Sequence, residues 1–155
     1  MSNPNFGSIL DKSPTEVERP KPIPPGTYST VIIGMPRYDK SSKKQTEFVE
    51  FQHKFLAPGD DVDADALQEA LTIGEETKSL NDVVMKNTFY LTESAAWRLK
   101  EFLRDCGFDI ESDEMSLRDM VEQTAGKSVG VFVKHVPSQD GQTVFAQIDR
   151  TVAEG

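Results

Sequence analysis

The clearest pattern in the chain is the alternation of Val49, Phe51, His53 and Phe55 with Glu50, Gln52 and Lys54. A period of two sends one set to a buried face and the other to an open one, so the segment predicts a half-buried β-strand ending before Pro58. Upstream, Tyr28, Val31, Ile32 and Ile33 are strand formers. Gly34, Pro36 and the polar run Asp39 to Lys44 end the pattern, which predicts a first strand over Thr27 to Met35. A third strand is expected where Val83, Val84 and Met85 lead through Lys86, Asn87 and Thr88 to Phe89, Tyr90 and Leu91. Val129, Val131 and Val133 then alternate with Gly130, Phe132 and Lys134. The pair Asp140-Gly141 marks a tight turn into Val144, Phe145, Ala146 and Ile148, predicting a hairpin of fourth and fifth strands.

Between the third and fourth strands the period changes. Ala96, Leu99, Leu103 and Cys106 share one helical face with Phe102 beside it. Thr92 is placed to cap the start and Gly107 to stop the end, which predicts a helix over Glu93 to Cys106. Ser116 and Asp119 have capping-box spacing, and a second helix is expected from Leu117 to Thr124. Ala66, Leu67, Ala70 and Leu71 also repeat helically, but inside an acidic stretch between Pro58 and Gly74, so they are expected on a loop excursion spanning 57–82. Residues 1–25 hold Pro20, Pro22, Pro24 and Pro25 and predict an extended arm. Its Phe6, Ile9 and Leu10 are apolar enough to dock on this subunit or on a neighbour.

The order β, β, β, α, β, β matches a mainly β fold, a five-stranded antiparallel Greek-key barrel of the oligonucleotide/oligosaccharide-binding (OB) type. One such domain is expected over 26–155, with its helices between the third and fourth strands. Composition agrees with a single folded domain: 155 residues, 37% hydrophobic and 28% charged. Cys106 is the only cysteine, so no intramolecular disulfide can form. Met1 to Asp11 lack the pattern of a signal peptide, and no run reaches the roughly 20 apolar residues of a membrane helix. A cytoplasmic protein without membrane contact is expected.

Net charge is −9 and pI about 4.7, which argues against a uniformly positive surface. The charges are segregated, however. Asp60, Asp61, Asp63, Asp65, Glu69, Glu75 and Glu76 form a block without a cation, whereas Arg37, Lys40, Lys43 and Lys44 cluster against a single Asp39.

Several motifs are decoys. Gly126-Lys127-Ser128 lacks the glycine a phosphate-binding loop needs five positions earlier, where Val121 stands, and it leads into a strand. Asp61, Asp63 and Asp65 start a calcium-loop pattern that Ala66 and Thr72 break. His53 and His135 are far apart in sequence and, with one cysteine, supply no structural zinc set. Cys106 falls on an apolar helix face, and acidic pairs such as Asp113 and Glu114 carry no signal in so acidic a chain. No catalytic residue, metal or cofactor is expected.

The parity of the strands yields a different set. With Val49, Phe51 and Phe55 inward, Phe48 and Lys54 project outward. The same argument sends Phe132 and Lys134 away from the valines of the fourth strand, while Lys86 and Tyr90 share a register on the third. Aromatic rings between lysines, beside a loop carrying Arg37, Tyr38, Lys40, Lys43 and Lys44, are what single-stranded nucleic acid requires, since bases stack and phosphates pair. The pattern leaves open whether Phe48, Tyr90 and Phe132 are exposed or packed beneath other elements.

Several stretches together resemble a phage- and prophage-encoded family of single-stranded-DNA-binding-like proteins. They are Pro22 to Tyr38, Lys40 to Lys44 followed by Thr46 to Phe51, Phe89 to Glu93 leading to Trp97 to Phe102, and Gly126-Lys127 before a valine-rich strand. The resemblance implies a non-catalytic role in phage DNA replication or recombination, in the bacterial host cytoplasm. The expected partners are single-stranded DNA, phage or host replication proteins, and other copies of the chain through the arm. Bacterial proteins of that role usually carry an acidic tail, whereas this chain ends Thr151-Val-Ala-Glu-Gly155, which leaves Asp60 to Glu76 as the candidate substitute. The alternative expectation is a protein–protein interaction or assembly module using barrel and arm.

Overall fold

The computed structural model describes residues 10–11, 13–14 and 21–154, so Phe6 and Ile9 of the arm lie outside the described residues. In chain order the elements are β1 (Gly26–Lys40), β2 (Glu47–Pro58), α1 (Ala64–Leu71), β3 (Thr72–Ile73) and β4 (Glu76–Thr77). A 3-10 turn at Leu80–Asp82 precedes β5 (Val84–Tyr90), α2 (Ala96–Asp105), α3 (Leu117–Glu122), β6 (Ser128–Pro137) and β7 (Val144–Val152). The five long strands form one antiparallel sheet in the order β5-β2-β1-β6-β7, and β3 and β4 make a separate small ribbon.

β1 runs five residues past the expected end at Met35. It pairs with β6 only from Gly26 to Val31 but with β2 from Tyr28 to Lys40, with register shifts after Ser29 and after Ile33. Gly34, in the left-handed region at φ 70°, and Pro36 sit within the second shift. A proline is tolerated there because β1 has a partner on only one side and the bulge frees its nitrogen from the ladder.

The closed barrel expected from the element order does not form. β5 and β7 are the two edges of the sheet; they approach within 8 Å (Cα–Cα) but share no ladder. α2 contacts both edges, and Thr151 Oγ1 on β7 donates to Asp105 Oδ2 at the helix end (2.6 Å). A helix thus lies where a ladder would have closed the sheet.

The inner sheet face carries two packed clusters. Near the start of β1, Tyr28, Phe55, Val131 and Val133 pack with Ile23, Leu80 and the buried face of α1, namely Leu67, Ala70 and Leu71. The acidic stretch is therefore partly core, not a loop excursion: Asp63 caps α1 by accepting from the Ala66 N–H (3.0 Å), and the apolar face beneath does the packing. Toward the other end of β1, Ile32, Val49, Phe51 and Val129 meet Leu99, Phe102 and Leu103 of α2 and Met120 and Val121 of α3. Phe102 lies 4.7 Å from Phe51 and 4.9 Å from Phe89 between ring centroids.

α2 begins at Ala96, three residues after the expected Glu93, because Thr92 caps a preceding turn. Its hydroxyl accepts from the Ala95 N–H and its carbonyl from the Ala96 N–H. α3 ends at Glu122, two residues before the expected Thr124, and starts as its capping spacing predicts, with Ser116 Oγ accepting from the Asp119 N–H (3.1 Å). The last part of the expected arm is fixed in the core: Ile23 and Pro24 are buried, the Tyr28 hydroxyl donates to the Pro24 carbonyl (2.6 Å), and His135 Nε2 donates to the Ile23 carbonyl (2.8 Å). Among the described residues no helix is long and apolar enough to cross a membrane.

Candidate nucleic-acid interface

Directly opposed residues of an antiparallel pair point to the same side, so the registers define the outer face. On it Phe48 opposes Tyr90, Glu50 lies between Arg37 and Thr88, Gln52 between Ile33 and Lys86, and Lys54 between Val31 and Val84. The β1–β2 turn, Ser41 to Thr46, extends this face at the Phe48 end. It is held by the Ser41 N–H on the Thr46 carbonyl (2.9 Å) and by the Thr46 N–H on Ser41 Oγ (3.0 Å). Phe48 and Tyr90 meet edge-to-face with centroids 6.1 Å apart, and the Arg37 guanidinium lies 5.4 Å from the Phe48 centroid. Tyr90 remains 47% exposed and Phe48 is half-buried, so this pair is open to a further ring rather than covered.

The charges divide into engaged and available groups. Glu50, only 11% exposed, accepts from Arg37 Nε (3.2 Å) and lies 3.9 Å from Lys86 Nζ. Arg37 also pairs with Asp39, whose carboxyl the Lys40 N–H and the Arg37 guanidinium hold below the usual carboxylate range. Lys40, Lys43, Lys44 and Lys54 form no ion pair among the described residues. Arg37, Lys40, Lys43, Lys44, Lys54 and Lys86 stand against Asp39, Glu47 and Glu50, a local net of +3 in a chain of −9.

Seven of the eleven residues expected at a nucleic-acid site therefore fall together, on the outer face of β1, β2 and β5 and the adjoining turn. Four do not. Lys40 opposes Glu47 at the end of β1 and, two residues beyond Tyr38, points with it to the helix side. Tyr38 opposes Val49 on that side. There it stacks under the Arg118 guanidinium (5.7 Å) and lines a groove of about 380 Å³ with Leu91, Leu99, Leu117 and Val121. Phe132 opposes Thr27, at the far end of β1 from Asp39 and Phe48. Twelve residues of strand, on the order of 40 Å of contour, separate the two places. Lys134 lies beyond Phe132 and pairs with Asp149 (3.0 Å).

Two partners escaped the sequence reading. Arg150 covers the Phe132 ring at 4.4 Å, and alternation along β7 could have found it, because Arg150 is the register partner of Phe132. Glu50 was visible as an outward residue, but its neutralising position between Arg37 and Lys86 depends on the register of three strands.

The buried titratable groups are built for structure. Thr30 Oγ1 spends its one proton on the Val129 carbonyl (2.7 Å), so it accepts from His53 Nδ1 (3.0 Å). That leaves Nε2 as the acceptor facing the Asn87 amide (3.4 Å). Burial holds this neutral imidazole down, with a pKa of about 4. Burial pushes the Cys106 thiol up to about 12, far from a reactive thiolate. Among the described residues no three His, Cys, Asp or Glu side chains are grouped to hold a metal.

No known family model matches the chain, and no curated protein sequence matches it.

Proposed function

We propose that the protein is a non-catalytic single-stranded-DNA-binding protein of the OB type that acts in phage DNA replication or recombination. The observation that carries this reading is the Phe48–Tyr90 ring pair with Arg37 against it, Lys86 and Lys54 further along the same sheet face, and the lysines of the β1–β2 turn at its other side. The rings offer faces for bases, and Lys43, Lys44 and Lys54 offer charge to phosphates. The strand order supports the OB assignment. Counting only the long strands, the sheet runs third, second, first, fourth, fifth, with α2 and α3 between the third and fourth. In an OB barrel the outer face of the second and third strands, with the loop joining the first and second, is the oligonucleotide surface. β2, β5 and Ser41 to Thr46 are the corresponding elements here.

The engaged carboxylate Glu50 tempers the surface, so affinity rests on the turn lysines and the rings rather than on a broad positive field. Titration of a fluorescent oligo-dT strand, read by anisotropy at two salt concentrations, tests the reading. Binding should be present at low salt and fall steeply at high salt, because displaced cations supply much of the affinity. Replacing Phe48 and Tyr90 together by alanine should cost about 1 to 3 kcal/mol for each base that stacks. Absence of binding at the lower salt concentration would end the proposal.

A further inference from the structure

The only tryptophan of the chain, Trp97, occupies the first turn of α2 and is 54% exposed. The helix does not need it there. Leu99, Phe102 and Leu103 anchor α2 on the opposite side, and an alanine or lysine at position 97 would serve a solvent-facing turn as well. Its neighbours on the open side of α2 are Arg98, Lys100 and Arg104 against Glu101, with Glu93 exposed in the preceding turn, so the stripe is net cationic in an acidic protein. The Arg98 guanidinium lies 5.3 Å from the Trp97 ring centroid, and Arg104 is engaged with Asp105. Neither Arg98 nor Lys100 has an ion pair among the described residues. An indole with an unpaired guanidinium and ammonium beside it is the combination that stacks a base and holds its phosphate.

Position links this stripe to the interface already described. β5 is a free edge of the sheet, its last residue is Tyr90, and the chain leaves it by a turn at Thr92 to Ala95 that leads directly into α2. Trp97 follows Tyr90 by seven positions, which caps their Cα separation at about 25 Å before the turn shortens it. α2 then lies across the gap between β5 and β7, touching both.

Building on the single-strand reading, we infer that the DNA track does not stop at Tyr90. It rounds the free edge of β5 onto α2, where Trp97 stacks a base and Arg98 and Lys100 take phosphates. A path that turns from a sheet face over an edge onto a helix suits a flexible single strand. It excludes a duplex, whose persistence length is about 150 base pairs. The site thus selects single strands by its shape as well as by its rings.

Because Trp97 is the sole tryptophan, its emission reports on α2 alone. The full chain is titrated with oligo-dT at low salt while the anisotropy of a labelled strand gives an independent measure of binding. The Trp97 emission should quench in step with the anisotropy, and a duplex of equal length should bind far more weakly. Trp97→Ala should weaken single-strand binding roughly 5- to 150-fold, the alanine cost of one stacked base, and Trp97→Phe should retain most of the affinity. Thermal melting checks that both variants fold as the parent does. If anisotropy rises while Trp97 emission stays constant and Trp97→Ala binds normally, α2 is off the track, although the β2–β5 reading stands. Equal binding of the duplex also overturns the inference, as does a change in sedimentation mass on Trp97→Ala without DNA, which would make this face a contact between copies. No anisotropy change at all removes the single-strand reading itself.

Discussion

The two ends of the β1–β2 hairpin carry opposite charge, and the charges are used differently. At the Gly26 end the carboxylates belong to the fold: Asp61 accepts from both the Thr27 N–H and the Thr27 hydroxyl at 2.9 Å, and Asp63 caps α1. These bonds hold the Asp61 carboxyl below its ordinary range. At the Lys40 end the turn is fixed by its own backbone and the Ser41 hydroxyl, while Lys40, Lys43 and Lys44 make no ion pair among the described residues. Net charge therefore misleads here. The excess acid is partly committed to structure, whereas the lysines are left to meet something outside the molecule.

The largest expected effect lies between the ends, at His53 in the middle of β2. Its folded pKa of about 4 lies below the ordinary 6.5, so as pH falls the unfolded chain takes up the proton first. The stability this neutral ring contributes is complete above pH 6.5 and is lost between 6.5 and 4, on the order of 3 kcal/mol in all. Urea midpoints at pH 7.5 and pH 4.5 should fall further for the parent than for His53→Gln. Equal losses in the two proteins would show that His53 is not the group responsible.

A smaller effect is expected at the acidic end. Gly26 has φ 142°, and a Cβ there would stand 2.7 Å from Val62 Cγ2. Gly26→Ala should destabilise by about 1 to 3 kcal/mol. Oligo-dT binding under conditions where the variant is folded should be unaffected, and weakened binding would mean that the two ends are coupled. At the lysine end the balance reverses. The double variant Lys43→Ala with Lys44→Ala should change stability by no more than about 0.5 kcal/mol. The slope of log affinity against log salt should become shallower by about 1.4, or roughly 0.7 per lost contact on a single strand. An unchanged slope would remove these lysines from the interface.

Much of this arrangement was legible in the chain, because face parity is a local property. The alternation from Val49 to Phe55 and the valines 129, 131 and 133 correctly separated inner from outer positions, and Asp140-Gly141 marked the β6–β7 turn. What local pattern does not carry is position along a strand and the effect of bulges. Gly34 and Pro36 read as a stop, yet β1 continues through them because its partner on that stretch lies only on the β2 side. Phe132 shares parity with Phe48 but sits at the opposite end of the sheet, and Tyr38 belongs to the helix side. The acidity of residues 60–76 hid the buried stripe of α1, and closure of the sheet depends on where α2 lies, which no single segment specifies.

β1 also sets the timetable of folding. With β2 it forms a hairpin of neighbours in sequence, but its first half must also find β6, and the bond from the Thr30 hydroxyl to the Val129 carbonyl joins residues 99 positions apart. Loop-closure entropy for such a contact has to be met before the contact returns any stability, which places the protein among slower-folding, high-contact-order topologies. During synthesis the hairpin leaves the ribosome with Tyr28, Ile32, Phe51 and Phe55 uncovered, and although α1, α2 and α3 follow, the core over them is complete only when Val129, Val131 and Val133 are made. That interval is when the chain is most open to aggregation, and a helper that shields newly made hydrophobic surface would act on it there.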